Sequence, residues 1–412
     1  MALKRGSASV KILVISGAYP PMRAGESSNA HHLCRHLAGR GHEVHVLTSE
    51  ANTGAGDPGI EVHPIMQSWS WLETFRFARF VRQCAPDAVL LVYLDAIYNY
   101  HPMMTFSPTL VRRLMPRVPF VTRYESPVGG ADPKTSLSAR LGRKVVAAAL
   151  GGKDITYSAG TLLRDSDRVI VLCEGHREVL AQEWPQVRDK AVVIPPPPNI
   201  EVSQEAAGNA RSRGRALLNV AADEFVIAFF GYVYPKKGIE TLLEAFSKLS
   251  HDGRKARLVF IGGTLDLDSE VSRRYWDEMQ QLCTALGVAD RTLWTGAFRS
   301  DREEGSLYLR AADVCALPLL NGVQLNNSSF SAMAAHGMPI VTTRGPATDR
   351  VFADGENVLF FEARNAGALA EKLKFLMDSA QARERLSSGV GMLARQWLSW
   401  DTGIERTLAT LA

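Results

Sequence analysis

Short apolar segments alternate with helical patterns along nearly the whole chain, and this alternation limits the possible folds more than any other feature of the sequence. The segments Ala88–Tyr93 and Phe225–Phe230 contain no polar residue other than a terminal tyrosine. A strand that is apolar on both faces is typical of a parallel sheet that helices cover on its two sides. The pattern therefore predicts an α/β fold with doubly wound, Rossmann-like parallel sheets.

A run of four prolines divides this alternation into two series. Pro195–Pro198 can continue neither a strand nor a helix, and the polar segment that follows is rich in alanine, glycine and serine. A chain of 412 residues is also too long for one ordinary hydrophobic core. We therefore predict an N-terminal domain over residues 1–200, a linker over 201–222 and a C-terminal domain over 223–390.

The apolar segments and the helical patterns give the predicted elements. Strands are predicted in the first series at Lys11–Ser16, Val44–Thr48, Ala88–Tyr93, Phe120–Arg123, Arg168–Leu172 and Ala191–Ile194, and in the second at Phe225–Phe230, Arg257–Ile261, Thr292–Trp294, Val314–Leu317 and Ile340–Thr343. Helices are predicted up to Gly39, at Ser70–Cys84, around Ala139–Leu150, and at Ile239–Leu249, Ser272–Leu286, Gly305–Ala311, Ser328–His336 and Ala366–Met377. Two such domains are expected to form a ligand cleft at the carboxyl ends of their strands.

Composition excludes several classes of protein. A net charge of +4, with the basic residues dispersed along the chain, argues against nucleic-acid binding. The five cysteines are far apart and form no CxxC pair, which fits a reducing compartment. The apolar stretch Val10–Ile15 is too short for a signal peptide or a membrane span. We expect a cytoplasmic protein that contacts a membrane peripherally at most.

Several common nucleotide and metal motifs are missing from the sequence. After the first strand the chain offers Gly17 and Gly25 where a dinucleotide fingerprint would need three closely spaced glycines, and it contains neither a P-loop nor a G-x-S-x-G motif. The compact metal-ligand candidates are His31-His32 and Asp266-Leu267-Asp268, and the polar flanks of the second favour a solvated loop. No metal site is therefore predicted.

One strand–loop–helix segment has the pattern of a phosphate-binding site. The strand Phe225–Phe230 ends at Gly231, a loop with Lys236, Lys237 and Gly238 follows, and then a helix begins. The free N–H groups and dipole of a helix N-terminus attract anions, and a lysine adds a full positive charge. A basic surface turn would have the same sequence pattern, so these residues alone leave both interpretations open.

A second polar cluster precedes an alanine-rich helix. The cluster consists of residue types that cap helix N-termini, and capping alone would account for them. Its members are Asn326, Asn327, Ser328 and Ser329. The remaining N–H groups of the same helix could also bind a phosphate. Both roles can hold together, because one side chain can cap while neighbouring amides face a ligand.

Seven segments in the right order make the chain resemble the GT-B glycosyltransferases, and among them the large retaining group called family 4. They are Ala24-Gly25 after Tyr19-Pro20-Pro21, Arg40-Gly41-His42-Glu43-Val44, Pro86-Asp87-Ala88-Val89, the segment from Gly231 to Gly238, Gly337-Met338-Pro339-Ile340-Val341, Asp354-Gly355-Glu356-Asn357 and Leu398-Ser399-Trp400-Asp401. The resemblance covers nearly the full length of the chain. It implies that the last helix, 391–412, packs back on the N-terminal domain.

The resemblance implies a function as well as a fold. A GT-B enzyme of this group transfers a sugar, with retention at the anomeric carbon, from a nucleotide-diphosphate sugar to an acceptor. We therefore expect a hexosyl or related transfer without a metal and without a cofactor, the nucleotide sugar being a co-substrate. The N-terminal domain would bind a small-molecule, glycan or lipid-linked acceptor, and the C-terminal domain would bind the donor.

The family motifs also imply individual site residues. Donor contacts are expected from Gly25, Gly231, Tyr232, Lys237, Phe298, Gln324, Asn326, Asn327, Ser328 and Ser329, and catalytic roles from Lys237, Asn327, Ser328 and Tyr124. Gly262-Gly263 and Gly296-Ala297-Phe298 either line the base pocket or are simple strand-end turns.

The chain departs from the family pattern at several of these positions. Tyr232 stands where the family has a phosphate-binding arginine, and Gln324 and Ala332 stand where it has two glutamates. Tyr124 replaces a family histidine. Two hypotheses of different class follow: an active, divergent transferase, or a catalytically silent homologue that acts as a binding or scaffolding subunit. An epimerase or phosphorylase on the same plan is less well supported, because the expected acidic residues and pyridoxal-type lysine site cannot be identified.

The acceptor is the least determined part of the prediction. Tyr98, His101 and Glu125 are predicted acceptor contacts, because they are polar or aromatic and follow predicted strands, although a histidine such as His101 is often structural. The aromatic and basic helix that begins near Trp69 suits a membrane surface or a lipid-linked acceptor, but a core helix with arginines reaching outward explains it as well.

Overall fold

The computed structural model describes residues 9–22, 24–53, 57–127, 144–145, 148–149, 159–264, 269–298 and 302–412. The chain divides into two compact units. The first consists of Met1–Pro195 with Gly403–Ala412, and the second of Pro196–Thr402.

The first unit is built on a parallel sheet of seven strands in the order β3-β2-β1-β4-β5-β6-β7. The strands are β1 Lys11–Ile15, β2 Glu43–Ser49, β3 Ile60–Met66, β4 Ala88–Tyr93, β5 Phe120–Tyr124, β6 Arg168–Val171 and β7 Ala191–Val193. Ile12 in β1 pairs with Val44 on one side and with Ala88 on the other. The strand order therefore reverses next to β1, which is where doubly wound sheets bind ligands.

Helices join these strands. They are α1 Gly25–Gly39, α2 Thr74–Cys84, α3 Pro102–Thr105, α4 Ser107–Leu114, α5 Leu162–Asp165 and α6 Glu174–Glu183, with short 3-10 turns at Trp71–Glu73, Asp95–Tyr98 and Pro185–Asp189. In α2, Phe77 and Val81 lie four residues apart on one face and are fully buried in the same hydrophobic cluster as Leu13 and Leu91. This helix therefore covers the sheet with only part of its aromatic surface.

The second unit is built on a parallel sheet of six strands in the order β10-β9-β8-β11-β12-β13. The strands are β8 Phe225–Phe230, β9 Ala256–Ile261, β10 Thr292–Trp294, β11 Val314–Leu317, β12 Ile340–Thr343 and β13 Leu359–Phe361. The helices are α7 Ala207–Leu217, α8 Ile239–His251, α9 Glu270–Ala285, α10 Glu304–Ala311, α11 Ser328–Ala335, α12 Ala366–Asp378 and α13 Ala380–Leu393, with a 3-10 turn at Ala289–Arg291 and a π turn at Ala394–Leu398. The last helix, α14 Trp400–Leu411, begins in the second unit and continues into residues that belong to the first.

The apolar strands and the helices that follow them agree with the sequence. Ala88–Tyr93 and Phe225–Phe230 form β4 and β8 with the predicted bounds, and both are buried almost along their whole length. Leu242, Leu243 and Phe246 of α8 are fully buried, as their spacing predicts. The prediction of two Rossmann-like α/β sheets is therefore confirmed. The helix predicted around Ala139–Leu150 falls largely outside the described residues.

Two edge strands and several helices, among them α4, α6, α7 and α13, were not predicted. β3 carries Pro64 and several polar residues, and β13 has only three residues, so neither forms a long apolar run. Residues 201–222, predicted as a linker, contain α7 in the second unit. Arg211 and Arg215 of this helix both form ion pairs with Asp313, at 2.7 and 2.9 Å. The helix was missed because charge pairing, and not an apolar stripe, contributes to its attachment.

Two structural observations concern the cysteines and the membrane-spanning potential of the chain. All five cysteines are free, and four of them are buried, as expected for small core side chains. Among the described residues, no helix combines the length and the apolar character that a membrane crossing requires.

Candidate functional site

The predicted donor residues of the second unit lie at the carboxyl ends of two neighbouring strands. β8 and β11 are paired, and the chain leaves β8 at Gly231 and reaches α11 at Ser328 after β11. Gly231 has a φ of 125°, and a Cβ atom there would lie 2.2 Å from Oγ of Ser329. Only glycine fits this conformation and this close approach. The structure therefore brings Gly231 and Ser329, two predicted donor residues, into contact.

The lysine loop packs against the chain that follows β11. Gly238 has a φ of 71°, and a Cβ atom there would lie 2.0 Å from the carbonyl oxygen of Pro318. The amide of Leu320 donates a hydrogen bond of 3.3 Å to the carbonyl of Lys236. Gly238 is the N-cap of α8 and provides no side-chain cap for its N–H groups. The loop is thus fixed by backbone contacts, and its shape depends on Gly238.

Lys237 is a buried lysine that has no partner carboxylate among the described residues. Its exposure is 9%, and burial lowers the pKa of its ammonium to about 8. The Nζ atom lies 5.1 Å from the ring centroid of Tyr234, a cation–π distance. Among the described residues, no acidic side chain contributes to this pKa or forms an ion pair with Lys237. Because an unpaired buried charge is costly, this position favours an anionic ligand.

The N-terminus of α11 is capped by Asn327. Its Oδ1 atom accepts a hydrogen bond of 2.9 Å from the amide of Phe330, which confirms the capping interpretation. In the part of the chain that the structure describes, the amides of Ser328 and Ser329 have no acceptor. The helix therefore presents free N–H groups next to Gly231, which is an arrangement that binds phosphate oxygens.

The segment before α11 is held by side-chain contacts to the loop after β12. The Nε2 atom of Gln324 donates a hydrogen bond of 3.1 Å to the carbonyl of Ala347. The amide of Leu325 donates one of 2.7 Å to the carboxylate of Asp349, which is 4% exposed. Ala332, one of the two positions where the family has a glutamate, is 1% exposed inside α11.

Phe298 forms an apolar wall near the end of β8. Its ring centroid lies 5.9 Å from that of Phe230, and a Cβ atom on Gly305 would lie 2.4 Å from the Phe298 ring. Gly262 and Gly296 form a bridge beside it. An aromatic side chain at the end of a central strand suits a nucleotide base, as predicted for this residue.

In the first unit, the predicted phosphate loop leads into α1. Gly25 is the first residue of this 15-residue helix, and a Cβ atom on it would have no neighbour within 4 Å. The N-cap residue Ala24 provides no side-chain hydrogen bond, so the helix N-terminus has no side-chain cap. Gly17, at the end of β1, accepts hydrogen bonds of 3.1 Å from both Ser49 and Asn52. The turn after β1 is therefore held rigidly while the start of α1 is uncrowded.

Two tyrosines of the predicted site, Tyr98 and Tyr124, are buried in the structure. Tyr98 is 1% exposed; its hydroxyl donates a hydrogen bond of 2.7 Å to the carbonyl of Val92 and accepts one of 3.2 Å from the amide of Gly17. Tyr124 is 4% exposed and packs against Tyr93 in the core. Both side chains are buried in the hydrophobic cluster of the first unit, whereas an acceptor contact needs an accessible side chain.

The two other predicted acceptor residues have structural partners. His101 caps α3, its Nδ1 atom accepting a hydrogen bond of 3.1 Å from the amide of Met103. Glu125 accepts a hydrogen bond of 2.6 Å from Nε of Arg123, whose side chain is 2% exposed. Glu125 therefore neutralises a buried arginine at the end of β5.

Sequence reasoning missed two residues that shape the donor site. Tyr234 lies three residues before Lys237, and its aromatic character next to a lysine loop was a signal for the cation–π contact. Asp349 gave no such signal, because its partner Leu325 lies 24 residues earlier in the chain.

Comparison with known proteins agrees with this architecture. Two Rossmann-like units with parallel sheets define the GT-B fold class. The family model "Glycosyltransferase Family 4" matches residues 25–202, and the model "Glycosyl transferases group 1" matches residues 224–379. The two matches together cover most of the chain, one in each unit. The chain belongs to the family 4 and group 1 GT-B glycosyltransferases.

The relatives in this family are distant. D-inositol 3-phosphate glycosyltransferase of Actinosynnema mirum is 29% identical over 258 residues, which are 60% of this chain and 58% of that protein. The protein of the same name from Thermomonospora curvata is 25% identical over 268 residues, or 63% of this chain and 58% of that one. The chain thus matches somewhat more than half the length of these curated relatives.

Solved structures show the same fold over the full length. A glycosyltransferase from Rickettsia africae matches with a TM-score of 0.71 and 13% identity, covering 98% of both chains. HepE from Anabaena, in complex with UDP and glucose, matches with a TM-score of 0.68 and 16% identity, covering 98% of this chain and 99% of that one.

Proposed function

We propose that the protein is a retaining glycosyltransferase that moves a sugar from a nucleotide-diphosphate sugar to an acceptor. The observation that carries the proposal is the buried ammonium of Lys237, which has no partner carboxylate among the described residues. The loop that carries it follows Gly231, which contacts Ser329 at the N-terminus of α11. A diphosphate supplies the negative charge that this arrangement lacks.

The same groups would stabilise the transition state. When the bond between the anomeric carbon and the diphosphate oxygen breaks, the leaving diphosphate gains negative charge. The Lys237 ammonium and the amides of Ser328 and Ser329 would be the donors for that charge. The acceptor oxygen forms its bond to the anomeric carbon on the face that the leaving group departs from. Its proton passes to the leaving phosphate oxygen, so no side-chain base and no metal is needed.

The remaining predicted donor residues receive positioning roles in this proposal. Asn327 fixes the N-terminus of α11, and Gly231 lets the backbone approach the diphosphate closely. Phe298 would pack against the base, and Gln324 would contact the sugar. Gly25 stays a predicted donor contact of the first unit, and its surroundings are open.

The names of similar proteins suggest which ligands to test. HepE is described in complex with UDP and with UDP-glucose, which makes UDP the first nucleotide to try. The curated relatives act on D-inositol 3-phosphate, which supports a phosphorylated polyol as the first acceptor. Both choices are part of the proposal.

Calorimetric titration with UDP, GDP and ADP, without added metal, tests the donor site. We expect one of the three to bind the wild-type protein, and the Lys237→Ala variant to bind it at least tenfold more weakly, a loss of about 1.4 kcal/mol. Lys236→Ala is the matched control, because it removes a neighbouring lysine from the same loop. Binding that is unchanged in Lys237→Ala would contradict the proposed donor site.

A transfer assay with the nucleotide sugar of the diphosphate that binds then tests catalysis. Anomeric retention is read from the NMR coupling of the product. A protein that binds the diphosphate and forms no product with phosphorylated polyols, glycans or lipid-linked acceptors would favour the alternative, a silent homologue with a binding or scaffolding role.

We also propose that α2 contacts an anionic membrane peripherally. Leu72, in the 3-10 turn before this helix, and Phe75, in its first turn, are 91% and 79% exposed. The arginines of the helix, Arg76, Arg79 and Arg82, are exposed as well. Exposed apolar side chains beside arginines suit a surface of anionic lipid. Vesicle flotation should show binding to phosphatidylglycerol that Phe75→Ser weakens and that the control Phe375→Ser, at a residue 46% exposed in the second unit, does not. Equal flotation of all three proteins would refute this contact.

A further inference from the structure

Two histidines and a glutamate meet on the edge of the first sheet. β2 and β3 pair in parallel, with His45 opposite Glu61 and Leu47 opposite His63. The Nδ1 atom of His45 lies 3.0 Å from Nε2 of His63 and 3.5 Å from Oε2 of Glu61. The Nε2 atom of His63 lies 3.6 Å from the other oxygen of Glu61. Three potential ligand atoms therefore face one point.

A second carboxylate holds the ring of His45 in place. Its Nε2 atom lies 2.8 Å from Oε1 of Glu43, which can only accept, so Nε2 carries a proton and donates it. The same Glu43 oxygen is held by the ammonium of Lys11 at 2.9 Å. In the neutral imidazole, Nδ1 of His45 is then a lone pair directed toward His63 and Glu61. A histidine that donates one ring N–H to a carboxylate and offers its other nitrogen is the usual arrangement around a metal ion.

A hydrogen bond between the two rings is the alternative to a metal ion. The N–H of His63 can bridge to Nδ1 of His45 at 3.0 Å, and this single hydrogen bond would account for the two rings alone. The one lone pair of Nδ1 can serve either that hydrogen bond or a metal ion, so metal binding would displace the proton of His63.

We propose that His45, His63 and Glu61 bind a divalent transition-metal ion, and that Zn²⁺ fits best. Tetrahedral zinc, with bonds of about 2.0–2.2 Å to nitrogen and oxygen, places its ligand atoms roughly 3.3–3.5 Å apart. The separations of 3.0 Å between the two nitrogens, and of 3.5 and 3.6 Å from them to the two oxygens of Glu61, lie close to this spacing, so small side-chain rotations without a change of strand register would complete it. Two imidazoles and one carboxylate are also ligands that zinc prefers over Mg²⁺ or Ca²⁺.

The surroundings of the cluster allow an ion to enter and then hold it. Glu61 is 67% exposed, so the carboxylate can be reached from solvent and can turn toward the ion. The His63 ring packs at 4.7 Å on Phe80, and it is stacked on the His45 ring with an interplanar angle of 8°. Both imidazoles are thus oriented in advance. Three protein ligands leave the fourth position of the metal to water.

The site belongs to the fold of the first unit and not to the proposed transfer reaction. It joins the edge strand β3 to β2, so the ion would stabilise the edge of the sheet. Sequence reasoning missed it because His45 lies sixteen residues before Glu61, and only strand pairing brings them together.

Zinc titration of tag-free, EDTA-treated protein tests the site. We expect calorimetry to show one Zn²⁺ per chain, and the Co²⁺-loaded protein to show the visible absorption of a tetrahedral site. His63→Gln should weaken Zn²⁺ binding at least tenfold, and Glu43→Gln, which only orients His45, by roughly tenfold or more. His251→Gln is the control, because His251 lies in the second unit and is hydrogen-bonded to Ser247.

Thermal melting separates loss of binding from loss of structure. Zinc should raise the melting temperature of the wild type and of His251→Gln, and it should leave that of His63→Gln unchanged. Circular dichroism of the metal-free variants checks that each is folded. The proposal is overturned if the wild type takes up no Zn²⁺ saturably, or if folded His63→Gln binds it within tenfold of the wild type.

Discussion

Two buried cations at the carboxyl ends of parallel strands differ in one respect, the presence of a counter-charge. Arg123, in β5 of the first unit, is 2% exposed and has the Glu125 carboxylate at 2.6 Å. Lys237, after β8 of the second unit, is 9% exposed and has no ion-pair partner among the described residues. A cation that is neutralised by its own chain holds the fold together. One that is not neutralised is available to a ligand.

This comparison relates the departures from the family pattern to the pairing of buried charges. Glu125 follows Tyr124, where the family has a histidine, and its carboxylate neutralises Arg123. Around Lys237 the family lysine is kept while the neighbouring arginine is replaced by Tyr232. The first unit has thus turned a predicted site position into a structural pair, whereas the second unit keeps an unpaired positive charge.

The largest expected effect comes from removing the partner of Arg123. Glu125→Ala leaves a buried guanidinium unpaired, so it should lower the free energy of unfolding of the first unit by about 3–5 kcal/mol. Lys237→Met removes an unpaired buried charge and keeps the volume, so the free energy of unfolding should stay the same or rise. Urea unfolding, followed by hydrogen exchange of the β5 and β8 peptides, measures the two units separately. The reverse order of effects would refute the comparison.

The next effect concerns the backbone that surrounds the unpaired lysine. Gly231→Ala should destabilise the second unit by roughly 1–3 kcal/mol, because a φ of 125° strains any residue with a Cβ and the new methyl would meet Oγ of Ser329 at 2.2 Å. It should also abolish measurable diphosphate binding. Gly25→Ala is the control at the other predicted phosphate loop, where a methyl meets nothing within 4 Å.

A second variant shows which part of the Gly231→Ala effect is steric. Ser329→Ala removes the hydroxyl that the new methyl would meet, so the double variant Gly231→Ala/Ser329→Ala should recover part of the lost stability and keep only the cost of the φ angle. Additive losses in the double variant would mean that the contact between these two residues is not the cause.

The fold could be predicted from the sequence to the extent that local signals carry it. The fully apolar strands β4 and β8 were predicted with their observed bounds. β3 was missed because Pro64 and the polar residues Glu61 and His63 interrupt its apolar pattern. α7 was missed because ion pairs to Asp313, 98 and 102 residues away, help to hold it, and no sequence pattern reveals such distant partners.

The candidate site divides in the same way. Gly231, Lys237 and Gly238 lie in one short stretch of the sequence, so the sequence alone could predict that they belong to the same strand–loop–helix segment. Tyr98 and Tyr124 were predicted as site residues but are buried in the core, because a sequence does not tell which side chains near a strand end face the core. Burial is a property of the assembled sheet, and only the structure provides it.

The lowered pKa of Lys237 should make both the stability of the protein and its binding of a diphosphate depend on pH. Burial lowers its pKa to about 8 from the usual 10.5, so the unfolded chain binds more protons than the folded chain between these values. The stability of the wild type relative to Lys237→Met should therefore rise as the pH increases through this window. A bound diphosphate favours the ammonium and raises the pKa, so binding at about pH 8.5 should take up protons.

Calorimetry in two buffers with different ionisation enthalpies measures that proton uptake. At about pH 8.5 the wild type should take up a substantial fraction of one proton for each diphosphate bound, and Lys237→Met should take up none. Lys236→Ala, which keeps the buried lysine, should behave as the wild type does. Equal uptake in all three proteins would assign the proton to the phosphate and not to Lys237.

The smallest effect is expected from restoring the arginine that the family carries. Tyr232 is 43% exposed and directly follows Gly231, so Tyr232→Arg can extend a guanidinium toward the same diphosphate without disturbing the core. An exposed ion pair contributes less than about 1 kcal/mol, which corresponds to roughly threefold to fivefold tighter binding of the diphosphate. The gain should decrease at high salt, because solvent-exposed charges are screened. Tyr232→Lys should gain less, since an ammonium cannot bind two phosphate oxygens with a planar pair of donors. If Tyr232→Arg binds more weakly than the wild type, Tyr232 itself contacts the nucleotide, and its replacement of the arginine is a specific feature of this donor site.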